Sequence, residues 1–159
     1  MVFKTKNFDL SGFDEIWSRV EKANSSGKGA SAPALIEAEI HDMQAYMSAA
    51  GKYPKYARLL RKLASEEARH ASILRGEFSL PAGKPEAPAP GDISLSALYS
   101  AETERAAAYL SLAAADTRRG DIFRKLASDE ARHAKILASM LQPPKASFPK
   151  ALGRSSGRR

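Results

Sequence analysis

The sequence predicts an all-α protein in which four helices form one antiparallel bundle. Its composition is rich in Ala, Leu, Glu, Lys and Arg, which are strong helix formers. A fourteen-residue segment occurs twice, as RKLASEEARHASIL at 61–74 and as RKLASDEARHAKIL at 124–137. Within and around both copies, apolar residues recur at alternating spacings of three and four residues. This pattern is typical of the seam, the buried face along which the helices of a bundle meet.

The chain divides into three segments by composition. We expect residues 1–31 to form an arm with a short amphipathic helix at 12–23, and residues 32–142 to form the bundle. Residues 143–159 contain five basic residues and no acidic ones, although the whole chain carries a net charge of +7. A basic tail can contact nucleic acid. We expect instead a solvated, disordered end without a nucleic-acid function.

Several classes of protein are excluded or disfavoured by composition. The chain has no cysteine, which excludes disulfides and iron–sulfur or zinc ligation by thiolates. It has no apolar run of about 18 residues, so no membrane-spanning helix is predicted. The N-terminus lacks the apolar core of a signal peptide, and we expect a cytoplasmic protein.

Capping residues and prolines divide the bundle into its helices. Gly51 suits the C-terminal cap of the first helix, Pro54 the first turn of the second, and Asp116 the N-terminal cap of the fourth. The segment 81–90 contains four prolines, so we interpret it as a long crossover between the second and third helices. The predicted helices span residues 32–50, 54–75, 95–115 and 116–141.

The repeat extends well beyond the two fourteen-residue copies. An offset of 63 residues aligns the two halves of the bundle without a gap. Each half is then a helical hairpin whose first helix carries one Glu and one Tyr and whose second carries Glu-x-x-His. Two such hairpins, related by a pseudo-twofold axis, would close the bundle. The aligned pairs are Glu39 with Glu102, Tyr46 with Tyr109, Glu67 with Glu130, and His70 with His133.

These polar residues predict a buried metal site. A Glu and a His three residues apart share one face of a helix, and here that face is the apolar seam. An unpaired buried carboxylate costs several kcal/mol, and we expect no Lys or Arg on the seams, whereas two divalent cations would balance four carboxylates. Oxygen and imidazole ligands without thiolate suit iron or manganese and can also hold zinc. The predicted ligands are Glu39, Glu67, His70, Glu102, Glu130 and His133.

Symmetry assigns each ligand a place. Glu39 and His70 would bind one ion, Glu102 and His133 would bind the other, and the Glu67 and Glu130 carboxylates would bridge the two. For the tyrosines two interpretations stay open: hydrogen bonds to ligand carboxylates, or ordinary core packing. No catalytic residue beyond these is predicted. We expect four further polar residues to lie at the surface, namely His41, Asp42, Glu66 and Asp129.

On the motifs Glu39…Tyr46…Glu67-Ala-Arg-His70 and Glu102…Tyr109…Glu130-Ala-Arg-His133, the chain resembles the ferritin-like diiron carboxylate superfamily, and most closely its rubrerythrin-like branch. The resemblance covers about residues 32–142 and implies a ferritin-like bundle with one long crossover. Rubrerythrins end in a cysteine-based rubredoxin domain, whereas this chain has no cysteine. They also carry an extra Glu one turn after the third-helix ligand, where this chain has Arg105. The same step in the first half gives Asp42, and two interpretations stay open for it: an extra ligand or, as we expect, a surface residue.

The resemblance implies a function. We expect two iron ions that react with O₂ or hydrogen peroxide, which makes the protein a ferroxidase or a peroxide-reducing oxidoreductase. Electrons would come from a separate donor protein, and we expect a homo-oligomer, such as a dimer. The alternative is an iron-binding or storage subunit of an oligomer without efficient turnover. Because the two halves differ at Asp42 and Arg105, we expect this asymmetry to influence the specific chemistry.

Overall fold

The computed structural model describes residues 31–81, 91 and 93–142 of the chain. The predicted short helix at 12–23, nearly all of the crossover at 81–90 and the basic tail at 143–159 lie outside these residues. The described part of the chain consists of the two helical hairpins.

The described residues form four long helices and no strand. The prediction of an all-α helical bundle is confirmed. Among the described helices, none combines the length and apolar character that a bilayer crossing requires. The helices are α1 (Ala32–Lys52), α2 (Ala57–Glu77), α3 (Leu95–Ala115) and α4 (Gly120–Leu141).

Local sequence sets the ends of α1 and the start of α2. Pro33 lies in the first turn of α1, where its fixed φ suits a helix and its missing N–H costs nothing. The helix ends at Lys52, and the 3₁₀ turn Pro54–Tyr56 leads into α2. Gly51 therefore lies in the last turn of α1 and does not form the predicted cap.

The second hairpin begins and turns in a similar way. The Ser94 side chain accepts a hydrogen bond from the Ala97 backbone nitrogen (3.1 Å) and caps α3, which spans the predicted residues. Asp116 does not cap α4 directly as predicted. Its Oδ1 accepts a hydrogen bond from the Arg119 backbone nitrogen (3.2 Å), which stabilises the turn before α4 begins at Gly120.

The two hairpins pack through contacts that join α1 to α3 and α2 to α4. Short connections make α1 antiparallel to α2, and α3 antiparallel to α4. The Tyr109 hydroxyl of α3 donates a hydrogen bond to Glu39 of α1, and the Arg132 guanidinium of α4 donates one to Glu66 of α2 (2.7 Å). These contacts join each helix to a helix of the other hairpin, in addition to its partner in its own hairpin.

The apolar core is divided into two clusters, each built from all four helices. One includes Leu74 of α2 and Phe123 of α4, and the other includes Leu63 of α2 and Leu137 of α4. Along α2 and α4 the Glu-x-x-His steps lie between these apolar positions. A polar layer therefore crosses the middle of the bundle, with hydrocarbon on both sides.

Candidate metal centre

The polar layer holds the six residues that the sequence predicts as metal ligands. Each of the four helices contributes a glutamate, and α2 and α4 also contribute the histidines. All six residues are fully buried, with 0% of their surface exposed. Helical geometry explains the local part of this arrangement, because residues three apart on α2 and on α4 point to the same side.

The first group of ligand atoms surrounds His70. Its Nδ1 lies 3.0 Å from Glu130 Oε1, 3.1 Å from Glu67 Oε2 and 3.3 Å from Glu39 Oε2. A neutral imidazole nitrogen carries at most one proton, so it cannot donate a hydrogen bond to three carboxylates at once. Separations of about 3 Å are also those between ligand atoms bound to one ion at about 2.1 Å.

The second group surrounds His133 in the same way. Its Nδ1 lies 2.7 Å from Glu67 Oε1, 3.5 Å from Glu102 Oε2 and 3.7 Å from Glu130 Oε2. Glu67 and Glu130 belong to both groups, and in each group the ligand atoms lie within 4.8 Å of one another. One ion with bonds of about 2.0–2.4 Å spans such a group.

Several carboxylate oxygens of the polar layer are buried without a hydrogen-bond donor in the described part of the chain, and a cation would satisfy them. Oxygens of all four glutamates, and Nδ1 of His133, are buried without a hydrogen-bond partner among the described residues. Buried polar atoms in native proteins are nearly always satisfied, and a carboxylate left unpaired in a core is costly. Two divalent ions would satisfy these atoms and neutralise the four glutamates. The residues present therefore fit a dimetal centre.

The charges of the cluster shift the protonation of its members. Burial raises the pKa of Glu67 and of Glu102 to about 8, and a neighbouring carboxylate adds to the shift in each case. Burial alone lowers the pKa of His70, but the three carboxylates that contact its Nδ1 outweigh this effect and raise the pKa to about 12. Burial also lowers the pKa of His133, and the carboxylates around it outweigh burial and raise the pKa well above its ordinary value.

These shifts predict that metal loading releases protons. Groups with raised pKa values hold protons near pH 7, whereas metal ligation needs neutral imidazole and ionised carboxylate. We expect Mn²⁺ loading at pH 7 to release about two protons per ion, and the apparent affinity to fall as the pH falls. Calorimetric titration in two buffers of different ionisation enthalpy measures the proton count. Binding without proton release would contradict the prediction.

Each tyrosine forms a hydrogen bond with a predicted ligand of the opposite hairpin. The Tyr46 hydroxyl donates a hydrogen bond to Glu102 Oε1 (2.6 Å), and the Tyr109 hydroxyl donates one to Glu39 Oε1. Of the two interpretations left open by the sequence, the hydrogen-bonding one matches these contacts. The tyrosines fix the orientation of the two carboxylates that are not shared between the groups.

The prediction that Glu66 and Asp129 face outward as solvated charges is wrong. Both side chains are only 17% exposed. Glu66 Oε2 lies 2.8 Å from His133 Nε2, and Asp129 Oδ2 lies 3.4 Å from His70 Nε2. Each carboxylate thus holds the outer nitrogen of the histidine from the other hairpin, which leaves Nδ1 directed toward the glutamates.

Asp42 and Arg105 are buried beside the centre, contrary to two predictions. Asp42 is 2% exposed rather than at the surface, and Arg105 places a cation in the core, where none is expected. The Arg105 guanidinium contacts Asp42 and lies 3.9 Å from Glu39 Oε1. Burial opposes the charge of Arg105, but the Asp42 and Glu39 carboxylates outweigh it and raise its pKa. Because the charges of Asp42 and Arg105 cancel, two divalent ions would still balance the charge of the four glutamates.

The prediction that His41 lies at the surface is also wrong. This residue is 8% exposed, and its Nδ1 lies 3.7 Å from Asp42 Oδ1. The segment around it, ALIEAEI at 34–40, is apolar on more than one side, so α1 is buried over a broader arc than one seam. The seam of Glu39 alone therefore gives no indication that His41 is buried.

The contacts between hairpins are reciprocal under the offset of 63. The Tyr46–Glu102 contact corresponds to Tyr109–Glu39, as the Glu66–His133 contact does to Asp129–His70. A twofold axis produces such paired contacts. The His70 and His133 rings, which also correspond, stack with centroids 5.7 Å apart. The pseudo-twofold axis predicted from the repeat is thus consistent with the observed contacts.

Comparisons of the chain with family models, curated proteins and solved structures find no match. The chemistry of the centre therefore has to be inferred from its own residues. These offer four buried carboxylates and two imidazoles to one or two cations, and the identity of the metal is not fixed by the geometry.

Proposed function

We propose that this protein is a ferritin-like dimetal carboxylate protein that binds two iron ions and reacts with O₂ or hydrogen peroxide. The observation that carries the proposal is the pair of overlapping ligand groups, each with its own histidine and terminal glutamate and both sharing Glu67 and Glu130. Glutamates from two helices and Glu-x-x-His from two others form the ligand set of ferritin-like dimetal proteins. Manganese or zinc would fit the same ligand types.

Residues around the six proposed ligands orient them and restrict the access of water. Two ferrous ions bound there would supply the two electrons that reduce hydrogen peroxide to water or begin the reduction of O₂. The tyrosine hydroxyls orient Glu39 and Glu102, and Glu66 and Asp129 fix the histidine tautomers. The apolar clusters on both sides of the layer restrict the access of water.

Two features bear on the type of reaction. The chain has no cysteine, so repeated turnover would need electrons from a separate donor protein. Arg105, in an ion pair with Asp42, stands where rubrerythrins have their extra glutamate. We therefore propose a set of six protein ligands, with a ferroxidase or a peroxide-reducing oxidoreductase as the two forms of the activity.

Rapid-mixing kinetics test this proposal. The protein is loaded with Fe²⁺ under anaerobic conditions and mixed with O₂ or with hydrogen peroxide, and iron oxidation is followed by absorbance. We expect fast oxidation, and renewed oxidation after each chemical re-reduction. A single stoichiometric uptake of iron without renewal would favour a storage subunit. Failure to bind Fe²⁺ would contradict both functions.

A further inference from the structure

The ion pair of Asp42 and Arg105 lies at a special place in the repeat. The two positions correspond under the offset of 63, and they also contact each other across the hairpins. Corresponding residues that touch must lie near the pseudo-twofold axis, where a symmetric repeat would bring together two identical side chains. Two carboxylates or two guanidiniums buried there would repel each other. Opposite charges remove this repulsion, but they also break the symmetry of the core.

The broken symmetry gives the two ligand groups different electrostatic surroundings. The Arg105 guanidinium lies 3.9 Å from Glu39 Oε1, on the side of the first group. The Asp42 carboxylate, which contacts the guanidinium, is repelled by Glu102 and, less strongly, by Glu39. The ligands themselves are equivalent, since each group has one histidine, one terminal glutamate and the two shared glutamates.

We propose that the Asp42–Arg105 pair makes the two metal positions unequal, so that a divalent ion fills the position of Glu102 and His133 first. The guanidinium repels a cation at the position of Glu39 and His70 and partly neutralises its glutamate. The negative charge of Asp42 favours a cation at the other position. This inference rests on the proposed dimetal centre and adds to it an order of loading.

Titration with Mn²⁺ measures the difference in affinity between the two metal positions. In the unmodified chain we expect two separate binding steps of one ion each. His70→Ala leaves intact the position of Glu102 and His133, and His133→Ala leaves the other, so the two variants form a matched pair. We expect His70→Ala to bind its ion about tenfold more tightly, or better, than His133→Ala, as a unit charge a few ångströms away allows.

Exchanging the charges provides the decisive comparison. In Asp42→Arg with Arg105→Asp, the guanidinium moves to the side of Glu102, and we expect the order of affinities of the two histidine variants to reverse. If the exchanged core does not fold, the apolar pair Asp42→Leu with Arg105→Met serves instead, because such replacements of buried ion pairs are often tolerated. With the apolar pair we expect the two affinities to become equal. Helical content by circular dichroism verifies folding.

The possible outcomes separate this inference from the function on which it rests. Two equal sites in the unmodified chain, or a preference unchanged by removing the charges, would overturn the unequal loading and leave the dimetal centre intact. No Mn²⁺ or Fe²⁺ binding by the unmodified chain would overturn both. Two unequal steps whose order follows the position of the guanidinium would support the inference.

Discussion

We expect Glu67→Ala combined with Glu130→Ala to abolish metal loading. These two glutamates belong to both ligand groups, so their loss leaves each position with one histidine and one glutamate. We expect the variant to retain no more metal than a protein-free blank after anaerobic incubation with Fe²⁺ or Mn²⁺ and removal of free ions. Elemental analysis of the desalted protein provides the measurement.

The matched control replaces two glutamates that are exposed, in Glu77→Ala with Glu104→Ala, and should load as fully as the unmodified chain. A second readout separates ligation from a structural role. Removing two buried carboxylates removes their desolvation cost, so the metal-free variant should unfold at a urea concentration no lower than that of the metal-free parent. Full metal loading of the Glu67 and Glu130 variant would refute the ligand assignment.

Arg105→Leu destabilises the metal-free protein by about 3–5 kcal/mol, the cost typical of removing one partner of a buried ion pair. The substitution leaves the Asp42 carboxylate in the core without the guanidinium that contacts it, and it removes the positive charge near Glu39. Urea unfolding followed by circular dichroism measures the free energy of unfolding. Adding Asp42→Leu should restore most of the lost stability, because the Asp42 carboxylate is then no longer left in the core without its guanidinium.

Arg61→Leu is the control for this prediction, because Arg61 is exposed on α2 and its replacement should change stability by no more than about 0.5 kcal/mol. An equal, small effect of Arg105→Leu and Arg61→Leu would show that the buried pair contributes little. A large effect of Arg105→Leu that Asp42→Leu does not relieve would instead assign it to lost packing by the long arginine side chain.

Much of this fold follows from local sequence, as the bounds of the helices show. The bounds of α3 follow from a capping serine and from apolar periodicity, and those of α1 follow from Pro33 and Pro54 within two residues. The errors at Gly51 and Asp116 concern turns, where a 3₁₀ segment or an extra turn changes the end of a helix without changing its buried face.

Signals for the misjudged residues were present in part. Asp42 and Arg105 each follow a predicted ligand by three residues, which places them on the ligand face of the same helix. They also correspond in the repeat and carry opposite charges, as expected of two residues that form an ion pair near the pseudo-twofold axis. Glu66 and Asp129 gave no such signal, because their histidine partners lie on the other hairpin, 67 and 59 residues away.

The helices, the internal repeat and the six residues of the candidate centre could be predicted from the sequence. These depend on spacing along one helix and on an offset along one chain, both of which can be read without knowing how the helices pack. The contacts between helices became known only from the folded structure. Each tyrosine donates a hydrogen bond to a glutamate of the other hairpin, and Asp42 contacts Arg105 near the axis. Contacts between hairpins depend on how two faces dock, and packing of side chains distant in sequence settles that docking.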